Sequence, residues 1–479
     1  MSAVCCTRSS SSHILGTMSI RFVNVDREQR LLLPPDLREW IPKDDLVHFV
    51  IEAVEKLDLR SFKVNTRGTG SRQYPPHMML SLLIYCYANG IFSSRRIERA
   101  TYRDIAVRYL TGDTHPDHDT ICAFRRENFA AVADCFVTVL ELARELKLLK
   151  VGTVSVDGTK IKANAKMSRS VRYDRAGELV EQLKLEVAEL LEQAEQTDRG
   201  DETDGQSLPE EIARRDRLRE KLEQARARIE ARAKAKAEEE RADYERKCKA
   251  REERKGLSKG PFIKEPDPTP EPKTQDNLTD PDSRIMRKSE RSGYEQAYNA
   301  QAVVDADGSQ LVLVARVSQC AVDRIELVPD IEAIPESIGC PETVLADNGY
   351  LDEDSVRRLE GDGDEPKMNV LVSVRAQVKQ VRRKHDFRPH PTKEKQLRAI
   401  RSEFVLEMKE KMEREESREK YKLRRQTVEP VFGTTKKWMG FTQFLLRGHE
   451  KVNGEWQLVA LAYNFKRLWR MLCVQHAVT

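Results

Sequence analysis

Three carboxylates stand out by their settings. Asp157 closes the β-branched run KVGTVSVD, Asp347 closes the apolar run of TVLADNGY, and Glu429 sits in VEPVFG. Two acids at strand ends can lie side by side in a mixed sheet, and a helix packed over that sheet can deliver a third. Converging carboxylates repel one another unless cations neutralise them, so such a cluster calls for hard, oxygen-seeking metals such as Mg²⁺. Two such ions about 3.5–4 Å apart suit in-line phosphoryl transfer. Each acid also has an ordinary alternative. Asp157-Gly158 and Asp347-Asn348-Gly349 read as turns, and Glu429 before Pro430 reads as a carboxylate favoured at a helix N-terminus. Pattern alone leaves Asp305, Asp307, Asp323 and Asp330 open as the middle acid.

Other chemistries find less support. His115 and His118 in THPDHD have a metal-compatible spacing but lack Cys or carboxylate partners, and they read as turn residues. No glycine-rich loop of the phosphate-cradling kind occurs. The nine cysteines are scattered without a Cys-x-x-Cys pair. With no long apolar run, they point to a reducing, cytoplasmic setting. Trp438 and Phe441 are expected in the core rather than as base-stacking groups.

The elements that must position the acids follow from periodicity. Residues 1–20 read as a disordered leader, with Met18 as a candidate start. Residues 21–149 read as an all-helical, DNA-binding region of short helices and tight turns. Its Arg95, Arg96, Arg125 and Arg126 fall near helix starts, as in a helix-turn-helix reader or equally on the surface of an ordinary helical bundle. Residues 150–173 and 284–475 carry the strand and helix signals of an α/β unit. They comprise a strand to Asp157, a short second extended segment, and a hairpin about Asp307-Gly308. A helix over 321–334, a strand to Asp347, a short helix, a strand and a helix with Glu429 follow. Between these parts, 174–255 shows two apolar stripes. One runs through Leu179, Leu183 and Val187, the other through Leu218, Leu222 and Ile229 after a Ser207–Glu210 capping box. They predict a charged helical hairpin or coiled coil. Residues 256–283 read as a Pro-rich linker.

Charge is informative only locally. The net charge of +4 on 479 residues argues neither for nor against nucleic acid, but residues 421–474 hold ten Lys/Arg against three Asp/Glu. A basic C-terminal segment suits a polyanion or a solvated helical surface, and charge alone does not choose between them.

These stretches resemble the bacterial insertion-sequence transposases of the DDE class. The resemblance lies in PPHMMLSLLIYCYANGIFSSRRIERATYRDIAVRYLTG with PDHDTICAFRR, in VSVDGTKIKANA, in DPDSRIMRK with GYEQAYNAQAVVD, and in VLADNGY. It extends through YKLRRQTVEPVFGTTKKWMGFTQFLLRGHEKVNGEWQLVALAYNFKRL. It covers most of the chain outside the leader and the charged insert. It implies an RNase H-like mixed sheet flanked by helices and assigns the catalytic, metal-binding acids to Asp157, Asp347 and Glu429. Two Mg²⁺ ions, or Mn²⁺, would be the cofactors.

The resemblance further implies cleavage and strand transfer of double-stranded DNA at terminal inverted repeats, by a homodimer in a synaptic complex. A nuclease without strand transfer and an inactive DNA-binding relic are the alternatives. The third-acid region resembles a Tyr-Arg-Glu-Lys signature. There Lys436 would hold phosphate, Tyr421 stands upstream, and either Arg424 or Arg425 takes the arginine place because neither offset fits fully.

Overall fold

The computed structural model describes residues 36–64, 73–199, 208–253, 264–287, 293–361, 367–374 and 402–478. The leader with Met18 and the capping Ser207 lie outside the described residues.

Six helices come first: α1 (Leu46–Glu55), α2 (Pro76–Ala88), α3 (Ser94–Arg103), α4 (Ile105–Leu110), α5 (His118–Glu127) and α6 (Phe129–Glu145). Prolines at the start of α2 suit a first turn, where N–H groups have no intrahelical partner. Asp45, Asp104 and Asp117 cap α1, α4 and α5 by accepting backbone N–H bonds. α5 and α6 are separated by a break at Asn128. Its side chain accepts the Lys63 N–H at 2.7 Å and donates to the Phe124 carbonyl. Every residue of α2 from Met79 to Ala88 is buried, which explains its apolar character on all sides.

The strands are β1 (Thr153–Lys162), β2 (Ser170–Arg172), β3 (Gln275–Asn277), β4 (Arg284–Arg287), β5 (Tyr294–Asp305), β6 (Val312–Ser318), β7 (Thr343–Ala346) and β8 (Asn369–Val372). Between β2 and β3 run α7 (Tyr173–Arg199) and α8 (Leu208–Glu253). After β6 come α9 (Leu327–Glu332), α10 (Glu353–Glu360), α11 (Glu403–Glu413), α12 (Glu415–Gly433), a π-helical turn (Thr434–Trp438) and α13 (His449–Val478). The main sheet runs β6-β5-β1-β7-β8. In it β5 is antiparallel to β1 and β6, β7 and β8 are parallel to β1, and β4 extends the β6 edge along the start of β5.

The exposed edge of β6 would be a template for unwanted pairing, and α13 covers it. Asn464 bonds both the Val312 N–H and carbonyl at 2.9 and 2.8 Å, and Asn453 accepts the Val317 N–H at 2.9 Å. The other side of α13 packs on α2 and α6, so helical region and sheet share one hydrophobic core.

Two expectations need correction. β1 does not stop at Asp157 but continues to Lys162, because β5 pairs with it from Val154 to Lys162. The helix expected over 321–334 shrinks to α9, and Asp323 stays in the preceding turn. The expected charged hairpin is present as α7 and α8, and α8 runs to Glu253. Its root is a small separate core of Val171, Ala176, Val180, Leu183, Leu222 and Ala225. Arg228 and Arg232 pin that root to the buried Asp276 of β3 at 2.7 and 2.8 Å.

Candidate active site

Asp157 lies in mid-strand, yet its parallel neighbour ends early. β7 pairs with β1 only at Thr153–Ser155, and β7 itself stops at Ala346, so Asp157 and Asp347 both sit where the two strands part. Asp157 Oδ1 accepts the Gly158 N–H at 3.0 Å, and Asp347 Oδ1 accepts the Gly349 N–H at 2.7 Å. The Asp-Gly after the acid is not a turn. A Cβ on Gly158 would stand 2.5 Å from Gln301 Nε2 and 2.8 Å from Asp323 Oδ1, so a larger residue there would have to displace those two side chains.

Glu429 comes from α12, directly before Pro430, which lies inside the helix. A helical proline frees the carbonyl four residues earlier. Here that is the Gln426 carbonyl, and Gln310 from the β5–β6 turn donates to it at 2.6 Å. The chain therefore tolerates Pro430 without breaking α12, and Glu429 stays on a continuous helix.

One guanidinium gathers the three acids. Arg424 stands 3.1 Å from Asp157 Oδ2, 3.9 Å from Asp347 Oδ2 and 3.8 Å from Glu429 Oε1, with only 11% of its side chain exposed. Arg425, the other candidate for that place, is exposed. Burial pushes the Asp157 carboxyl up to about 6; Arg424 and the Gly158 N–H oppose the rise, while Asp347 and Asp323 add to it.

The donor set of two aspartates and a glutamate suits a hard divalent cation. The positive charge of Arg424 marks where the acids call for one. As they stand, the acids are gathered on Arg424 rather than on one another: among the described residues no three His, Cys, Asp or Glu side chains converge closely enough to hold an ion.

The other acids left open by pattern have different occupations. Asp305 accepts from the Ser309 hydroxyl and N–H within the β5–β6 turn, and Asp307 accepts the Gly152 and Thr153 N–H groups. Asp330 is fully buried against Arg316 at 2.8 Å. Asp323 is nearer the centre. It holds Lys160 Nζ at 3.0 Å and accepts from Asn299 and Gln301 at 2.6 and 3.1 Å. Only its place in the fold reveals this, since its flanking sequence carries no strand or capping signal.

The remaining expected residues divide. Lys436 donates to the Thr159 hydroxyl, two residues beyond Asp157 on the same strand face. Tyr421 is a tether, its hydroxyl donating to the Ala346 carbonyl at 3.0 Å beside Asp347. Arg95, Arg96 and Arg126 are exposed. Arg96 lines a cleft of about 320 Å³ with Ile91, Arg99, Ala100, Arg103 and Asp104.

Arg125 does not belong with them. It is 4% exposed and donates to the Tyr87 hydroxyl at 2.6 Å and the Phe92 carbonyl at 3.2 Å, so it is a core residue unable to meet DNA. Phe441 is buried as expected. Trp438 is not, being 86% exposed. His118 bonds Glu98 at 2.9 Å, and His115 bonds the Thr101 hydroxyl at 3.1 Å and stacks on Tyr102.

Two family profiles match the chain. One is a transposase domain (DUF772) over residues 35–127, and the other is a transposase DDE domain over residues 378–469. No curated protein and no solved structure matches. The chain thus carries the two domains of an insertion-sequence DDE transposase, the helical one first and the DDE one last. The second match contains Glu429 and Lys436 but begins after Asp157 and Asp347. Among the described residues no helix is long and apolar enough to cross a membrane.

Proposed function

We propose that this transposase cuts and joins DNA at a centre made of Asp157, Asp347 and Glu429. One observation carries the reading: acids from β1, from the end of β7 and from α12 converge within 4 Å of the single guanidinium of Arg424. The strand order supports an RNase H-like catalytic domain. β1, β5 and β6 form an antiparallel run, and β7 and β8 add in parallel on the other side of β1. Asp157, Asp347 and Glu429 would hold Mg²⁺ or Mn²⁺, which when bound supplies Lewis-acid chemistry for in-line phosphoryl transfer.

The chain's own residues have separable tasks. β1 and β7 fix the two aspartates where their strands diverge, and α12 lowers Glu429 over them. Lys436, held on the Asp157 face of β1 by Thr159, is placed to bind a phosphate of the DNA end. The helical region 21–149 is the candidate reader of double-stranded terminal inverted repeats, with Arg95, Arg96 and Arg126 on its surface. Water would first cleave the DNA backbone, and the freed 3′-hydroxyl would then attack target DNA. The charged hairpin of α7 and α8 is rooted on β2 and β3, and a homodimer is the expected working assembly in the cytoplasm.

The test is strand cleavage and joining of the element's own DNA ends in Mg²⁺. Asp157→Ala, Asp347→Ala and Glu429→Ala should each abolish both steps while leaving DNA binding in place. Undiminished cleavage by any one of them removes that residue from the centre. Cleavage without joined product when target DNA is supplied would make the enzyme a nuclease only.

A further inference from the structure

Trp438 occupies the least comfortable position of any large apolar side chain among the described residues. It is 86% exposed, while Thr435 and Met439 on either side are 2% and 3% exposed. The cause is local. In an α-helix, residue 438 would share the face of buried Thr435 three positions earlier. The chain from Thr434 to Trp438 is instead a π-turn, closed by the Met439 N–H on the Thr434 carbonyl at 2.9 Å, and the extra residue per turn swings the indole outward. Single π-turns inside helices are rare and cluster at functional sites.

This outward indole stands on a fastened ledge. Before it, Lys436 is tied to Thr159 of β1. After it, the Phe444 N–H donates to the Lys162 carbonyl at 2.9 Å, and the Gln443 side chain donates to the Ala163 carbonyl at 3.1 Å. Trp438 is therefore held between two anchor points on the strand that carries Asp157. On its other flank, the Met439 carbonyl lies 2.6 Å from where a Cβ on Gly90 would be. The next residue, Ile91, begins the cleft of Arg96, Arg99 and Arg103. Exposed cations thus lie near this segment: Lys437 precedes Trp438 in the chain, and Arg96, Arg99 and Arg103 line the cleft that begins one residue past Gly90.

We propose that Trp438 stacks on an unpaired nucleobase of the DNA bound at the candidate active site. The inference rests on the DNA-processing reading above. A polyanion backbone suits the cations, and a π-face near them suits a base, in the manner of sequence-tolerant single-strand binding. A lone surface tryptophan without this setting would carry no such argument. Here the setting supplies charge complementarity and continuity with the strand bearing Asp157.

The experiment compares wild type, Trp438→Ala and Trp438→Phe on two probes at one salt concentration. One is a blunt duplex, and the other is the same duplex with a short unpaired end carrying 2-aminopurine. Trp438→Ala should bind the unpaired-end probe about 5- to 150-fold more weakly, the range of one base–aromatic stack. It should bind the blunt duplex as wild type does, and Trp438→Phe should retain most of the affinity. Wild type should quench the 2-aminopurine and Trp438→Ala should not. Equal affinities of wild type and Trp438→Ala for both probes overturn the proposal, as does an equal loss on both. A Trp438→Ala protein that keeps its DNA affinity but changes its sedimentation assigns the indole to contact with a second copy, and overturns it too. Wild type that binds neither probe removes the DNA reading itself, which separates that failure from a failure at Trp438.

Discussion

Arg424 stands nearest to Asp157 of the three candidate acids, its guanidinium 3.1 Å from that carboxylate and still within 4 Å of Asp347 and Glu429. In this arrangement one cation from α12 balances three acids from separate parts of the chain. Arg424→Gln should therefore cost about 1–3 kcal/mol of stability in chelator, the range for stranding a partly buried charged group. Asp157→Asn added to Arg424→Gln should recover part of that loss, because the most buried acid no longer needs a counter-charge. Urea denaturation of the single and double variants measures both quantities. Full wild-type stability in Arg424→Gln would show that the guanidinium is not the counter-charge.

A pH-dependent prediction arises at Glu455 on α13. It is fully buried, accepts the Leu445 and Leu446 N–H groups at 3.0 Å, and shares its surroundings with Arg125. Burial pushes its carboxyl from 4.5 up to about 7, against the opposing pull of Arg125 and the two N–H bonds. Between those values the folded protein keeps a proton that the unfolded chain has released, so stability falls as pH rises from about 4.5 to about 7. Asp330, pushed up to about 7 by burial despite Arg316, acts in the same direction. Glu455→Gln should reduce the slope by at most about 1.4 kcal/mol per pH unit. Denaturation across that window checks it, and an unchanged slope would refute the role given to Glu455.

Gly90 and Gly440 offer a controlled comparison. Their φ angles are +77° and +79°, but a Cβ at Gly90 would meet the Met439 carbonyl at 2.6 Å, while a Cβ at Gly440 meets nothing within 4 Å. Both alanine variants bear the left-handed strain of about 1–2 kcal/mol. Only Gly90→Ala must also push the helical region away from the ledge that carries Trp438. Thermal melts should rank Gly90→Ala clearly below Gly440→Ala, and equal melting temperatures would contradict the close approach.

The arginines of the helical region should separate by burial. Arg96→Ala, Arg99→Ala and Arg103→Ala should each lower DNA affinity at all sequences and flatten the salt dependence by about one unit of slope. Arg125→Ala should leave the slope alone and lower the melting temperature, since it deprives Tyr87 and Phe92 of a buried partner. Titrations over a series of salt concentrations, read beside melting curves, distinguish the two groups.

Sequence by itself determined what depends on short range. The hairpin at Asp307-Gly308, the β7 strand before Asp347, α10, and the stripes of α7 and α8 are written in alternation, helical spacing and turn residues, which act over a few positions. The acids Asp157, Asp347 and Glu429 were legible through motif resemblance, and local pattern supplied only their strand and helix settings. Tertiary structure alone decided the rest. β1 runs through Asp157-Gly158 because β5 pairs along its whole length, and Glu429 stays on a helix because distant Gln310 takes the carbonyl freed by Pro430. Arg424 rather than Arg425 meets the acids because of how α12 is rotated on the sheet. Arg125 turns inward to Tyr87, and one extra residue in a π-turn sends Trp438 out of the core. Each of these outcomes is set by a partner far away in the chain or by helix phase, and neither is encoded in the identity of the neighbouring residues.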